Sequence, residues 1–357
     1  MINFKEEMMN LAKISLSKKE MKRDVFIAFK YFGWDGLGGS SMQLAGSEYG
    51  LTRERVRQIT GKVVSKMIAN KEGKTPLLKK LLEMISDLSP ASADRVEEIL
   101  KPHGLNGQRI EGVLNAARCL EIPGSHLRIV EDFGVRFVVS SDMVDRPRKI
   151  MSMAQKAVSH KGLINIELLK KALPETRSSS AYSFIRDVIS VREDTVWLDK
   201  DHTWVWFKDA PRNRLITCLS KMLSVFTTTD LNSIREGANR YYRKGKRTSP
   251  EVIAPDNILI NFINSWGHVS YSKAGIIRKK DIFEAVIDPL DMEQSIALFI
   301  LNQPGKIARE KELENAIVPD IDGETHPKKY NFSIALNYSP LVRKGEKRGQ
   351  YVANGTI

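Results

Sequence analysis

Past about residue 75, one pattern returns roughly every 65 to 80 residues. It is an amphipathic helix, a short helix, a third helix, and then two alternating strands around a polar turn. A repeat of this kind constrains the fold more than composition can, because each copy is one supersecondary unit that must stack on others to bury its apolar face. The first copy opens at Pro76-Leu77-Leu78, with Leu78, Leu81, Leu82 and Ile85 at helical spacing. Its second helix follows Ser89-Pro90 and ends near Gly104, and its third runs from about Gln108 to Leu120. Leu127 and Ile129, then Asp132-Phe133-Gly134, then Val135, Phe137 and Val139 alternate about a glycine turn, which predicts a hairpin.

The second copy starts near Arg148, with Ile150, Met153, Ala154 and Ala157 on one face. It continues through a helix over Ile166 to Leu173 stopped by Pro174, and a third helix that Ser178, Ser179 and Ser180 can cap. Its hairpin places Val196 and Leu198 against Trp204 and Trp206. The third copy starts near Asn213, carries the insertion Tyr241-Tyr242-Arg243-Lys244-Gly245-Lys246-Arg247, and closes around Val269 to Ile277. The fourth starts near Met292, has helices around Glu310 and Tyr330, and ends on a hairpin from Leu341 to Val352. Three helices followed by such a hairpin resemble winged-helix domains. The expected fold is therefore mainly α with small β-hairpins, an α+β chain. Its expected parts are a helix-turn-helix over 1–75 and winged-helix-like modules over 76–145, 146–209, 210–288 and 289–357.

The stretch before the repeats carries the chemistry. Ser41 to Ile59 reads as helix, glycine turn, helix, with Gly50 supplying the positive φ of a tight turn. Thr52 can cap the second helix and Glu54 complements its positive end. Val56, Ile59 and Val63 recur at i, i+3 and i+7 and predict a buried face. The other face offers Arg53, Glu54, Arg57 and Gln58 in the first two turns. Arg pairs bidentately with guanine, Gln with adenine, and Glu accepts from cytosine, so these residues can read base edges. A solvated charged face is the plain alternative.

Leu51-Thr52-Arg53-Glu54-Arg55-Val56-Arg57-Gln58-Ile59 resembles the recognition helix of region 4 in sigma-70 family transcription factors. Lys22-Arg23-Asp24-Val25-Phe26 through Phe32-Gly33 is similar to that family's preceding helix, so the likeness spans residues 20 to 70 or so. It implies a major-groove reader with base contacts from Arg53, Glu54, Arg57 and Gln58, and with Thr52, Arg55 and Lys62 against phosphates. The chain departs from the family at Leu44, where a polar residue is usual, and at Thr60-Gly61, in a stretch normally acidic and alanine-rich. Gly61 costs about 1 kcal/mol of helix propensity relative to alanine, so a bend or a close packing contact is expected there. No segment resembles the family's promoter-melting region.

Lys plus Arg number 56 against 43 acidic residues, a net charge of +13 that draws the chain towards polyanions. Arg343-Lys344-Gly345-Glu346-Lys347-Arg348-Gly349 forms the tip of the last hairpin. Arg343, Lys344, Lys347 and Arg348 are the expected phosphate contacts of that wing. Double-stranded DNA is the expected partner, with RNA polymerase or another protein as a further one. The leading function is a transcriptional regulator or DNA-recognition subunit. An interaction scaffold with one DNA-binding module, or a sigma-like factor, is the alternative. Modest charge on the later third helices (Arg177 and Arg186 in copy two, Lys328 and Lys329 in copy four) leaves room for the scaffold.

Other chemistries find little in the sequence. Gly73-Lys74-Thr75 ends like a phosphate-binding loop, but Ile68 stands where that motif has its first glycine. Gly36-Leu37-Gly38-Gly39 reads as a flexible loop. His103, His126, His160, His202, His268 and His326 show no metal-ligand spacing, and no nucleophile elbow occurs. No active site, metal or cofactor is expected. Cys119 and Cys218 sit in apolar helical patterns as unpaired thiols of a reducing compartment. Without a long apolar run or a basic leader, the chain reads as cytoplasmic and nucleoid-associated, off the membrane. Trp197, Trp204 and Trp206 cluster in one hairpin, as core or as an exposed aromatic strip.

Overall fold

The computed structural model describes residues 2–123, 126–173, 178–243, 254–318 and 325–357. Chain contacts divide it into two units. One is Met1–Met151 with Lys170–Val191; the other is Ser152–Leu169 with Arg192–Ile357. The protein is mainly helical, with small three-stranded antiparallel sheets.

The first unit begins with five helices: α1 (Phe4–Ser15), α2 (Lys18–Lys22), α3 (Asp24–Phe32), α4 (Met42–Ser47) and α5 (Arg53–Ala69). Asn3 opens α1 with a capping box, its side chain accepting from the Glu6 N–H. Next come α6 (Pro76–Leu88), β1 (Ala91–Ser92), α7 (Ala93–Leu100), α8 (Ile110–Cys119) and the hairpin β2 (Leu127–Asp132) and β3 (Val135–Ser140). Glu7 reaches from α1 to the start of α6. Its carboxylate accepts from the Leu77 and Leu78 N–H groups at 2.7 and 2.8 Å, where Thr75 makes no side-chain cap. Phe4, Met8 and Leu11 share one buried core with Val63, Met67, Leu78, Val96 and Val113, so the N-terminal helices and the first repeat fold around a common interior.

The later repeats follow the same order of elements. The second has α9 (Arg146–Lys161), β4 (Ile164–Asn165), a 3-10 turn at Ile166–Ala172, α10 (Ser178–Ile189), β5 (Thr195–Trp197) and β6 (Trp204–Phe207). The third has α11 (Arg214–Val225), β7 (Thr228–Asp230), α12 (Leu231–Arg243), α13 (Asp256–Trp266), β8 (Val269–Tyr271) and β9 (Ile276–Lys279). The fourth has α14 (Asp291–Leu301), β10 (Ile307–Arg309), α15 (Glu310–Ile317), α16 (Thr325–Tyr338), β11 (Val342–Lys344) and β12 (Gln350–Ala353). Each sheet has the same order: the short strand between the first two helices pairs with the last strand of its hairpin, as in β1-β3-β2 and β10-β12-β11. That short strand is an addition to the repeat as read from sequence. Pro174, Arg177, the Ser178 to Ser180 side chains, the Arg243 side chain, Lys244 to Arg247, and the His326, Lys328 and Lys329 side chains lie outside the described residues.

A second regularity concerns the third helix of each repeat, which packs against a preceding segment. On α8, a Cβ at Gly112 would stand 2.3 Å from the Gly33 carbonyl oxygen, and Asn115 donates to the Phe32 carbonyl at 3.0 Å. On α10, Phe184 meets Phe137 edge-on at 5.8 Å, while Asp187 accepts from the Ser92 N–H at 3.1 Å and pairs with Arg95. On α13, Phe262 packs edge-on against Trp206 at 4.9 Å, and Ser265 accepts from the Trp206 indole at 3.0 Å. The buried Arg240 of α12 donates to the Leu336 and Ser339 carbonyls at the end of α16.

Trp206 is therefore core, and Trp204 lies partly buried against the same interior. Trp197 stacks on His202 of its own hairpin with ring centroids 5.0 Å apart. Cys218 is buried and Cys119 half-buried, both as free thiols, and burial pushes the Cys119 thiol up to about 11. Among the described residues, no helix is long and apolar enough to cross a membrane.

Candidate nucleic-acid interface

Helices α4 and α5 meet through small residues. A Cβ at Gly46 would lie 2.6 Å from Val56 Cγ2 and 3.0 Å from the Leu51 carbonyl oxygen, so only glycine lets the two helices approach this closely. Gly50 takes φ +61° in the turn between them. Ile27, Ala45, Val56 and Ile59 form a small core beneath the pair, backed by Tyr31, Met42 and Leu51. Val63 is buried too, as the i, i+3, i+7 spacing predicts. The N-terminal end of α5 is capped by Thr52, whose hydroxyl accepts from the Arg55 N–H at 3.3 Å. Thr52 is thereby a structural cap first, with its side chain exposed at the helix start.

The opposite face of α5 presents its polar side chains to solvent as a connected set. Arg57 grips the Glu54 carboxylate with two hydrogen bonds, Nε to Oε2 at 2.8 Å and Nη2 to Oε1 at 2.7 Å. Gln58 Nε2 donates to the same Oε1 at 3.2 Å, and Gln58 Oε1 accepts from Arg55 at 3.1 Å. The Arg57 and Gln58 hydrogen bonds push the Glu54 carboxyl down to about 2, and Glu54 in turn raises the Arg57 guanidinium above its ordinary value. Arg53 leans towards α4, where Gln43 Oε1 accepts from its Nη2 at 2.7 Å. Sequence reasoning passed over Gln43. Its position on the first turn of α4, across the glycine turn from the start of α5, was the available signal.

The remaining predicted contacts divide. Lys62 and Lys66 both pair with Glu20 of α2, at 2.9 and 2.7 Å, and their hydrogen bonds hold the Glu20 carboxyl far below the usual carboxylate range. Lys62 thus serves the packing of α2 on α5. The helix runs on through Gly61, and nothing lies within 4 Å of the place its Cβ would take, so the expected close contact is absent. At the last hairpin, Lys344, Lys347 and Arg348 are exposed around the turn. Arg343 departs from them: it donates to Ser233 Oγ at 2.7 Å and Asn354 Oδ1 at 3.0 Å, and so is built into the fold. Among the described residues, no group of His, Cys, Asp and Glu is placed to hold a metal ion.

Comparison with family models, with curated proteins and with solved structures finds no match to this chain.

Proposed function

We propose that this protein binds double-stranded DNA in a sequence-dependent way through α5. In this reading Arg53, Arg57 and Gln58 reach base edges in the major groove, and Gln43 and Glu54 hold them in place. The observation that carries the reading is the connected polar face of α5, with Arg, Glu and Gln ordered by one another at the N-terminal end of a capped, exposed helix. Side chains already held near their working geometry lose less conformational freedom on binding than loose ones. The likeness of Leu51–Ile59 to a sigma region 4 recognition helix supports the same assignment.

The four repeats are then winged-helix modules, a reading supported by their common element order and strand order. Their third helices, which in a DNA-binding winged helix would enter the groove, are the ones packed against preceding segments. That favours a mixed role: one groove-reading module, with the repeats as a scaffold whose exposed wings, notably Lys344, Lys347 and Arg348, touch phosphates. The triple variant Arg53→Ala, Arg57→Ala, Gln58→Ala tests the assignment. It should bind a preferred duplex and its scrambled counterpart equally while keeping its fold by circular dichroism. Retained discrimination would move the reading surface away from α5.

A further inference from the structure

Between the third and fourth repeats, residues 281–290 form neither helix nor strand, and their side chains divide into two sets. Phe283 packs inward, edge-on to Trp266 with ring centroids 6.2 Å apart. The Val286 and Ile287 N–H groups donate to the Ser220 hydroxyl of α11 at 2.7 and 3.3 Å, and the Leu290 N–H donates to the buried Glu293 carboxylate at 2.9 Å. The backbone is thus tied down along its length. Ile282, Val286, Ile287 and Leu290 nonetheless stay between 45 and 69 % exposed. Large apolar side chains gathered in one exposed strip mark an interaction site, whereas scattered ones do not.

The same strip is acidic. Asp281, Glu284, Asp288 and Asp291 are exposed, and no lysine or arginine occurs from Asp281 to Gly305 in a chain that has 56. Among the described residues no cation pairs with Glu284 or Asp288. Such a strip repels phosphates and attracts a basic surface. A basic surface adjoins it: Val286 borders a hollow of about 520 Å³ where Lys208 and Arg212 are exposed beside Ala210, Pro211 and Ile216. Neither cation has a carboxylate partner among the described residues, and Asp209 is the acidic residue of that lining. An acidic half beside a basic half is self-complementary about a two-fold axis along their border, because each half then faces the opposite half of the other copy. We infer that the second unit pairs with a second copy of this chain through this surface. The strip of each copy lies against the basic hollow of the other, with the two Val286 side chains near the axis. A chain of net charge +13 repels its own copies over most of its surface, and this strip is where one can approach. The contact is small, so the pair belongs to the weak class of associations. It involves none of the residues of α5 and does not depend on the duplex-binding reading.

Sedimentation equilibrium of the full chain across the micromolar range tests this. The wild type should pass from monomer to dimer as concentration rises. Glu284→Lys with Asp288→Lys in one chain, and Lys208→Glu with Arg212→Glu in another, should each raise the dissociation constant at least tenfold, because like charges then meet at both contacts. Mixing the two double variants should restore the dimer, since opposite charges then meet at both contacts. The substituted side chains are all exposed, and circular dichroism checks that each variant keeps its fold. A wild type that stays monomeric over the whole range would overturn the inference. So would a dimer that either double variant leaves intact, or folded variants that stay apart when mixed.

Discussion

A bidentate pair such as Arg57 with Glu54, on an exposed helix face, adds little to stability, because water screens it and two long side chains are ordered to make it. Its value is positional. Replacing Arg57 by alanine should cost about 1–3 kcal/mol of binding to a preferred duplex and relax the choice at one base position. Affinities for preferred and scrambled duplexes check this, and an equal loss on both would mean that Arg57 touches phosphate instead. The Glu54 carboxyl, held at about 2, is charged through the whole range from pH 8 to pH 5. A lowered carboxyl loses its charge only as pH falls towards its own value, so base preference should be constant over that range. A preference that drifts between pH 8 and pH 5 would point to a different titrating group in the interface. The types of residue on this face were legible in the sequence, but their partners were not. Gln43 meets Arg53 across a turn, and Arg343 meets Ser233 from 110 positions away. Charge and spacing along a chain say nothing about such pairings, which is why Arg343 reads as a wing-tip cation and folds as a strut.

Among the elements, the long first helices of the repeats were readable because their apolar residues recur over about three turns, and the hairpins because their strands alternate about glycine or polar turns, whereas the helix expected over Ile166 to Leu173 is a 3-10 turn at Ile166–Ala172. The strands β1, β4, β7 and β10 were not, since two or three residues cannot display a period. Nor could sequence show what each third helix packs against. Two glycines separate these levels. Gly61 sits in the exposed interior of α5 with open space where a Cβ would go, so Gly61→Ala should stabilise the protein by up to about 1 kcal/mol in urea unfolding. Gly112 in α8 lies against the Gly33 backbone, and Gly112→Ala should destabilise it by about 1–3 kcal/mol through overpacking. A Gly112→Ala variant as stable as the wild type would show that α8 and the end of α3 are not in close contact.

At the scale of the whole molecule, the net charge of +13 makes affinity for any polyanion salt-dependent, whichever surface reads sequence. Lys344, Lys347 and Arg348 are exposed at the turn of the last hairpin, and under the proposed reading replacing all three by alanine should flatten the duplex salt slope by about one to three units, at roughly 0.9 per contact, without altering base preference. An unchanged slope would take that hairpin off the duplex. The third helices of the repeats are packed against preceding segments, so the proposal gives sequence reading to α5. Selection of bound sequences from a random duplex pool tests this most directly. The account predicts enrichment of one short motif, of the length a single recognition helix covers, and loss of that enrichment in the Arg53, Arg57 and Gln58 alanine variant. A pool that stays random with the wild type, or a motif that survives in the variant, would contradict it.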